Sequence, residues 1–437
     1  MTVLRNHKLL TLAGAAFAFR LLFVLIFPGP NYFEGISGSY IEVAQNILQG
    51  RGIVTYVDIA PLSTPEPAWT YETFIDRPLG YVFLILIPSL VTSSPIGVQI
   101  LHALLAALST VILFLIGKEL VAERTAWRAA LLYALWPLSA RFEIALLPDA
   151  VMPFFLLTTL WLLLKGIKSE QGLKWYGTAG IVCGIGMTMR PDILILPLFL
   201  AAGLFFLNNA PNRIKGIVAL LAGVLFVMGA HTARNYGATG GKILPLGLGN
   251  GISMWEGISQ FGDTLGTVYG DERMARLEGY RSWAYPNGIE RDRQRFREAV
   301  DIILAHPVWY AGMMVKRFPV LLTPDWIMTR KFAPSLKEFL DAPPGNTVGS
   351  YVAAYPGPTL IRVILVLLQY ASLLLALYAL WMNRRNRLLW LPALVIFYYI
   401  VIHLPTNTEA RYFYPVIPLV LLLASLGWQS MKHQSAE

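Results

Sequence analysis

Apolar runs of roughly 18 or more residues recur along this chain, and runs of that length can cross a bilayer as helices. Spans are predicted at 9–27, 95–117, 128–146, 149–166, 173–189, 191–207, 214–232, 358–382, 387–404 and 411–428. Each must be helical, because the bilayer offers no water to the backbone polar groups. The predicted fold class is therefore all-α, a polytopic membrane helix bundle of about ten transmembrane helices, with a range of about 9 to 12.

Composition supports a membrane protein. Of the 437 residues, 56% are hydrophobic and only 14% are charged, against about 25% charged residues in a typical soluble domain. The net charge of +9 is assigned to cytoplasmic loops, so no nucleic-acid partner is expected. The single cysteine, Cys183, excludes a disulfide framework.

Lys and Arg in the short loops set the predicted orientation. With the N-terminus inside, the cytoplasmic connections contain Lys118, Arg124, Arg128, Lys165, Lys168, Lys174, Arg213, Lys215, Arg384, Arg385 and Arg387. Both termini are then cytoplasmic. The N-terminal apolar run is expected to remain as the first span, because no small-residue cleavage site follows it and Arg20 interrupts it.

Two long segments, 28–94 and 233–357, are predicted to lie outside. In the first, residues 37–50 and 77–93 are interpreted as interfacial helices on the outer leaflet. Counting 77–93 as a span would put "GKELVAERTAWR" outside and reverse the charge asymmetry. In the second, "GIERDRQRFREAVDIILAHP" predicts an amphipathic helix with a basic face that leans on the membrane surface.

The stretch "RFEIALLPDAVMPFFLL" places Glu143 and Asp149 among apolar residues. A charge near the bilayer centre costs about 2.5–3.5 kcal/mol on insertion scales, and such residues usually line functional cavities. The predicted topology puts both acids at the outer mouth between two spans. The same layer receives Arg77, Arg190, Asp192, Arg234, Glu409 and Arg411.

This combination of arginines and acids suits chemistry on a lipid-linked phosphate. The guanidinium fork pairs with phosphate through two hydrogen bonds, and a carboxylate can take a proton from an attacking hydroxyl. An isoprenoid-phosphate sugar fits both requirements, because its tail lies in the bilayer and its sugar lies at the surface.

Six segments in this order resemble the GT-C superfamily of integral-membrane glycosyltransferases, in particular bacterial relatives of protein O-mannosyltransferases and lipid A aminoarabinose transferases. They are "SYIEVAQNILQGRG", "RPLGYVFL", "LLPDAVMPFFLL", "GMTMRPDILILPLFL", "ARNYGATGGKILPLGLGNGISMWEG" and "EARYFYPVIPLVLLLASLG". The resemblance runs through nearly the whole chain.

The resemblance implies a polyprenyl-phosphate-linked sugar donor, inversion at the anomeric carbon and an extracytoplasmic site in the bacterial cytoplasmic (inner) membrane. The acceptor would be a hydroxyl of an envelope glycan, lipid or protein. Members usually carry an essential Asp four residues before the tyrosine that matches Tyr40, where this chain has Ile36. Glu34 is the nearest acid and is predicted as the base, with Glu42 as the other local candidate.

The resemblance also makes Asp149 the second outer acid, which positions substrate or assists deprotonation. The donor phosphate is predicted to bind Arg77, Arg190, Arg234 and Arg411. Candidates for binding the acceptor or the sugar are Tyr40, Glu143 and Tyr412. The structural alternatives are an N-cap for Asp149, an ion pair with Arg141 for Glu143, and ion pairs or snorkelling for the arginines.

No metal site is predicted, because His102, His231, His306 and His403 are scattered without ligand spacing. No cofactor is required, although a carboxylate-bound divalent cation stays open.

The expected organisation is a GT-C-like catalytic core at 1–232, an extracytoplasmic loop with amphipathic helices at 233–357 and C-terminal transmembrane helices at 358–437. A transporter or flippase of lipid-linked glycans, a non-catalytic lipid-sugar-binding protein, and a polysaccharide polymerase or ligase are the alternatives.

Overall fold

The computed structural model describes residues 2–29, 34–170, 172–207, 213–261, 277–324, 326–342 and 345–434. Helices dominate it. They are α1 Thr2–Ile26, α2 Glu34–Leu48, α3 Gly80–Ser89, α4 Pro95–Leu120, α5 Glu123–Ala134, α6 Pro137–Glu143, α7 Met152–Lys168, α8 Gly172–Met189, α9 Leu196–Leu207, α10 Arg213–Ala238, α11 Asn250–Ser259, α12 Gly288–Ala305, α13 Pro307–Leu322, α14 Leu336–Leu340, α15 Val348–Ala354, α16 Pro356–Met382, α17 Trp390–His403 and α18 Ile417–Gln434. Short 3₁₀ segments occur at Pro148–Val151, Pro191–Ile193, Trp326–Met328, Arg387–Leu389 and Ala410–Val416.

Among the described residues, six helical stretches are long and apolar enough to cross a membrane: His7–Ile26, Pro95–Leu120, Pro148–Lys168, Arg213–Ala238, Pro356–Met382 and Ala410–Lys432. Shorter apolar stretches are Gly80–Ser89, Pro191–Leu207 and Arg387–His403. The protein is therefore an all-α polytopic membrane protein, as predicted. The count of about ten spans stays a prediction.

The predicted span 128–146 is wrong as one continuous helix. Trp136 has extended backbone dihedrals, and the helix restarts at Pro137 as α6. Proline cannot donate a backbone hydrogen bond, and it disfavours helical geometry in the residue before it. The polypeptide therefore breaks between α5 and α6.

Residues 28–94, the first segment predicted to lie outside, contain two helices, α2 and α3, where the two interfacial helices were predicted. At ten residues α3 is about 15 Å long, half of what a bilayer core of about 30 Å requires. A two-stranded antiparallel hairpin, β1 Val54–Asp58 and β2 Trp69–Thr73, lies between them and was not predicted. Its β-branched and aromatic residues favour strands.

The predicted amphipathic helix is α12, but its basic residues do not all face outward. Arg291 and Arg295 are buried and pair with Glu278. Part of the predicted basic face is therefore buried, because Arg291 and Arg295 also donate to the backbone carbonyls of Ser282 and Trp283.

Lysines of the predicted cytoplasmic loops meet at one end of the bundle. Lys165 and Lys168 lie 2.7 and 2.9 Å from the carboxylate of Glu119, and Lys8 lies 2.7 Å from that of Glu123. These pairs join the end of α4 to the end of α7, and the start of α1 to the start of α5. The other end of the bundle carries the candidate site.

Candidate functional site

A cavity of about 690 Å³ lies where α8 and α17 end and where the 3₁₀ segments at 148–151, 191–193 and 410–416 begin the next helices. The β2–α3 connection and the loop at 243–249 complete its wall. The volume is within the range of about 300–1,000 Å³ that is typical of ligand sites.

Six of the residues predicted from the sequence line this single cavity: Tyr40, Arg77, Asp149, Arg190, Arg411 and Tyr412. Glu143 and Arg234 are not among its lining residues. Glu34 begins α2, but its side chain lies outside the described residues.

Arg190 is the centre of an ionic cluster in the cavity. Its guanidinium pairs with the carboxylate of Asp149 and lies 2.7 Å from that of Asp192. It also lies over the ring of Tyr412, with 4.6 Å from Cζ to the ring centroid. His403 stacks on the other side of this cluster, 4.7 Å from Tyr412 between ring centroids and 3.4 Å from Asp192. Asp149 is thus a partner of an arginine rather than a separate acid.

Arg411 reaches the same region from the beginning of the last span. Its Nη2 lies 2.9 Å from Oε1 of Glu409, and its guanidinium lies near the ring of Tyr412, with 5.2 Å from Cζ to the centroid. The ring of Tyr412 is thus near both guanidiniums, and the carboxylates of Asp149, Asp192 and Glu409 lie beside these two cations.

Close backbone packing fixes the position of Arg77. A Cβ on Gly247 would lie 2.8 Å from the carbonyl carbon of Arg77, and a Cβ on Gly80 would lie 2.4 Å from Thr188. His231 accepts a hydrogen bond from the backbone N–H of Leu79 at 3.3 Å. The segment that bears Arg77 is therefore held between the 243–249 loop and the end of α8.

The 243–249 loop is itself anchored from two sides. The side-chain amide of Asn235 donates to the carbonyl oxygens of Leu244 and Leu246 at 2.8 and 3.0 Å. The carboxylate of Asp292 accepts from the N–H groups of Gly249 and Gly251 at 3.1 and 3.0 Å. The N–H groups of Gly249 and Gly251, at the start of α11, are thus already satisfied by the side chain of Asp292.

The prediction that Arg234 binds the donor phosphate is not supported by its position. Its guanidinium donates to the carbonyl oxygen of Phe74 and to Oδ1 of Asn235, both at 3.0 Å. Arg234 lies on α10, outside the cavity lining, and its hydrogen bond to Phe74 supports the segment that leads to Arg77.

Glu143 is held in a buried ion pair and is not among the residues that line the cavity, so its position does not favour the predicted role in binding acceptor or sugar. It is fully buried, with Arg20 Nε 2.7 Å from its Oε2 and the Tyr133 hydroxyl bonded to Oε1. Arg20 therefore takes the place of the expected partner Arg141, since α1 packs against α6.

Asp76 is a cavity residue that the sequence analysis did not select. It lies next to Arg77, lines the cavity and is 9% exposed. Burial raises the pKa of its carboxyl group to about 6, against the opposing effect of Arg77. In the sequence, Asp76 could have been noticed as the acid directly before "RPLGY". Its burial, however, depends on the fold and is not visible in the sequence.

Among the described residues, no group of three or more His, Cys, Asp or Glu side chains is placed to hold a metal ion. Binding of a divalent cation by carboxylates therefore stays an open alternative.

The architecture and the cavity define a class: a polytopic membrane protein with a GT-C fold. Residues 76–232 match the family described as dolichyl-phosphate-mannose-protein mannosyltransferase. This stretch includes Arg77, Asp149 and Arg190.

One sequence relative and two solved structures are similar to this chain. The Bacillus subtilis protein named "Putative mannosyltransferase YkcB" is 32% identical over 131 residues, which is 30% of this chain and 18% of that protein. A structure of the oligosaccharyltransferase AglB from Archaeoglobus fulgidus, in complex with an inhibitory peptide and a dolichol-phosphate, aligns with TM-score 0.55 at 13% identity. The alignment covers 98% of this chain and 51% of the AglB chain. A structure of the apo form aligns with TM-score 0.53 and the same coverage. The chain thus spans about half the length of the archaeal enzyme.

Proposed function

We propose that this protein is an inverting glycosyltransferase that moves a sugar from a polyprenyl-phosphate carrier to a hydroxyl of an envelope glycan, lipid or protein. The reaction would take place on the extracytoplasmic side of the bacterial inner membrane. The observation that carries the proposal is that Arg77, Arg190 and Arg411 share one cavity with Asp149 at one end of a GT-C bundle.

The three arginines suit the leaving group of this reaction. Cleavage of the bond between the anomeric carbon and the phosphate oxygen adds negative charge to the phosphate. Preorganised guanidiniums in a site shielded from water stabilise such charge more strongly than water does. Asp149 holds Arg190 in place for this task, and the ring of Tyr412 is in contact with both Arg190 and Arg411.

The comparisons support a lipid-linked donor. AglB is described with a bound dolichol-phosphate, and the matching family is named after a dolichyl-phosphate-mannose donor. Mannose is therefore the first sugar to test. The cluster of lysines at the opposite end of the bundle supports the predicted sidedness, because positively charged loops favour the cytoplasm.

The test uses the purified full chain in lipid nanodiscs. Polyprenyl-phosphate-linked mannose, glucose and aminoarabinose, each radiolabelled, are incubated with an envelope lipid and glycan extract, and label in product and released polyprenyl phosphate are measured. Label transfer that depends on Arg77 supports the proposal.

Two outcomes would overturn it. Movement of an intact labelled lipid across sealed vesicles, without cleavage, would assign a flippase. Binding of every donor without product, in the presence of the extract, would assign a non-catalytic lipid-sugar-binding protein.

A further inference from the structure

We propose that Asp76 is the catalytic base, which takes the proton of the acceptor hydroxyl in the reaction assigned above. The inference rests on the proposed function and adds the residue that the reaction still lacks. Glu34 was the sequence-based candidate for this role, and Asp149 is occupied by Arg190.

The position of Asp76 suits this role. It follows β2, precedes Arg77 directly, and lines the same cavity. Its side chain is more than nine-tenths buried, and its Oδ1 has no hydrogen-bond partner among the described residues. A buried oxygen without a partner is costly, so the fold keeps an acceptor site open where substrate would bind.

The other described carboxylates of the cavity are already engaged. Asp149 and Asp192 pair with Arg190, Asp292 accepts two backbone amides, Glu256 accepts the side-chain amide of Asn407 at 3.0 Å, and Glu409 pairs with Arg411. Asp76 belongs to none of these pairs. It is thus the acid best placed to meet a hydroxyl.

The surroundings of Asp76 give it a suitable basicity. Burial is the main cause of its raised pKa of about 6, and Glu42 adds to it, while Arg77 and the backbone amides of Asp76 and Arg77 oppose it. Tyr40 on α2 and Tyr285 of the second outer segment are the other titratable groups that interact with it. A base with a pKa near the working pH is largely ionised and still accepts a proton readily.

Ile36 on α2 lines the same cavity as Asp76. In this chain α2 therefore presents an apolar side chain, and the β2–α3 connection supplies an acid to the shared space.

The step balances without a further reactant. The acceptor oxygen forms a bond to the anomeric carbon while its proton passes to the Asp76 carboxylate. The bond between that carbon and the phosphate oxygen breaks, and its electron pair stays on the polyprenyl phosphate beside Arg77.

Asp76→Asn in the full chain tests the proposal, with turnover and affinity for undecaprenyl phosphate measured side by side. We expect kcat to fall by about 100-fold or more, which is the usual contribution of a general base, with unchanged undecaprenyl phosphate affinity. Asp76→Glu should recover part of the lost kcat, and its activity should still fall at acidic pH. The residual activity of Asp76→Asn should not show the decrease below about pH 6 that the wild type shows. Glu72→Gln, on β2 and outside the cavity, is the matched control and should keep wild-type kcat.

Three results would overturn the assignment. In the first, Asp76→Asn keeps the kcat and the pH profile of the wild type. In the second, Glu34→Gln loses kcat and Asp76→Asn does not. The third is an equal fall in undecaprenyl phosphate affinity, which would make Asp76 a support for Arg77. A wild-type protein that is inactive with every donor would instead reject the proposed function itself.

Discussion

The guanidinium of Arg190 pairs with the carboxylate of Asp149, which joins the end of α8 to the 3₁₀ segment before α7. The two residues are far apart in sequence, and each follows a break between helices. Their pairing joins two separate sequence candidates into one unit, in which the carboxylate orients the guanidinium that would donate hydrogen bonds to a phosphate.

Substitutions of this pair are therefore expected to be non-additive. Asp149→Asn and Arg190→Gln should each lower kcat/KM by on the order of 10-fold or more, and the double variant should be no worse than Arg190→Gln alone, because the residues act together. Steady-state kinetics of the four proteins measures the coupling. Losses that simply multiply would mean that Asp149 acts independently of Arg190.

Arg77 and Arg234 should behave differently, although both were predicted phosphate ligands. Arg77→Lys is expected to raise the donor KM by roughly 10-fold, because lysine lacks the bidentate fork. Arg234→Lys should leave the donor KM unchanged, since Arg234 bonds to the Phe74 carbonyl behind the wall. Equal effects of the two variants on KM would contradict the assigned geometry.

Gly247 offers a test that leaves every charged group intact. In Gly247→Ala the new methyl group would press on the backbone of Arg77, so kcat/KM should fall by about 10-fold, as displacements of catalytic groups do. Gly237→Ala on α10 is the control, because its Cβ would meet no atom within 4 Å. Unchanged kinetics in Gly247→Ala would show that the position of Arg77 is not critical.

Most of the site was predictable because a predicted membrane topology gives the depth of each residue along the membrane normal. Once spans and orientation are assigned, Arg77, Asp149, Arg190 and Arg411 must lie at the same end of the bundle. The structure places all four in one cavity. Topology does not say which side of a helix a residue faces, and for that reason Arg234 was assigned to the site although α10 carries it outside.

The burial of the charged residues and the identity of their ion-pair partners could not be predicted from the sequence. Glu143 meets Arg20 only because α1 packs against α6, a contact that no local pattern encodes. Asp76 was not selected from the sequence, because no local pattern shows that the fold buries it. The break at Pro137 was readable from proline chemistry, but the apolar run on both sides masked it.

Glu143 provides a stability prediction. Removing one partner of a buried ion pair typically costs about 3–5 kcal/mol, so Glu143→Gln should lower the free energy of unfolding in detergent by an amount of that order. Glu123→Gln, which breaks the exposed pair with Lys8, should change it little. Comparable stability of the two variants would exclude a structural role for the Arg20–Glu143 pair.

Asp76 should stabilise the fold only when protonated. Its pKa is about 6 in the folded state against 3.8 ordinarily, so its contribution is present below about pH 4 and is lost as the pH rises through 6. Asp76→Asn does not titrate, and it should therefore exceed the wild type in stability by roughly 2–3 kcal/mol above pH 6. Thermal unfolding at pH 4, 6 and 8 measures this difference, and a gap that narrows with rising pH would contradict it.

The most direct measurement is the transfer of radiolabelled sugar from a polyprenyl-phosphate donor to envelope extract by the purified protein and by Arg77→Ala. The account predicts label in a new glycoside with matching release of polyprenyl phosphate, reduced about 100-fold in Arg77→Ala. Transfer that proceeds at the same rate in both proteins would contradict a phosphate site at Arg77.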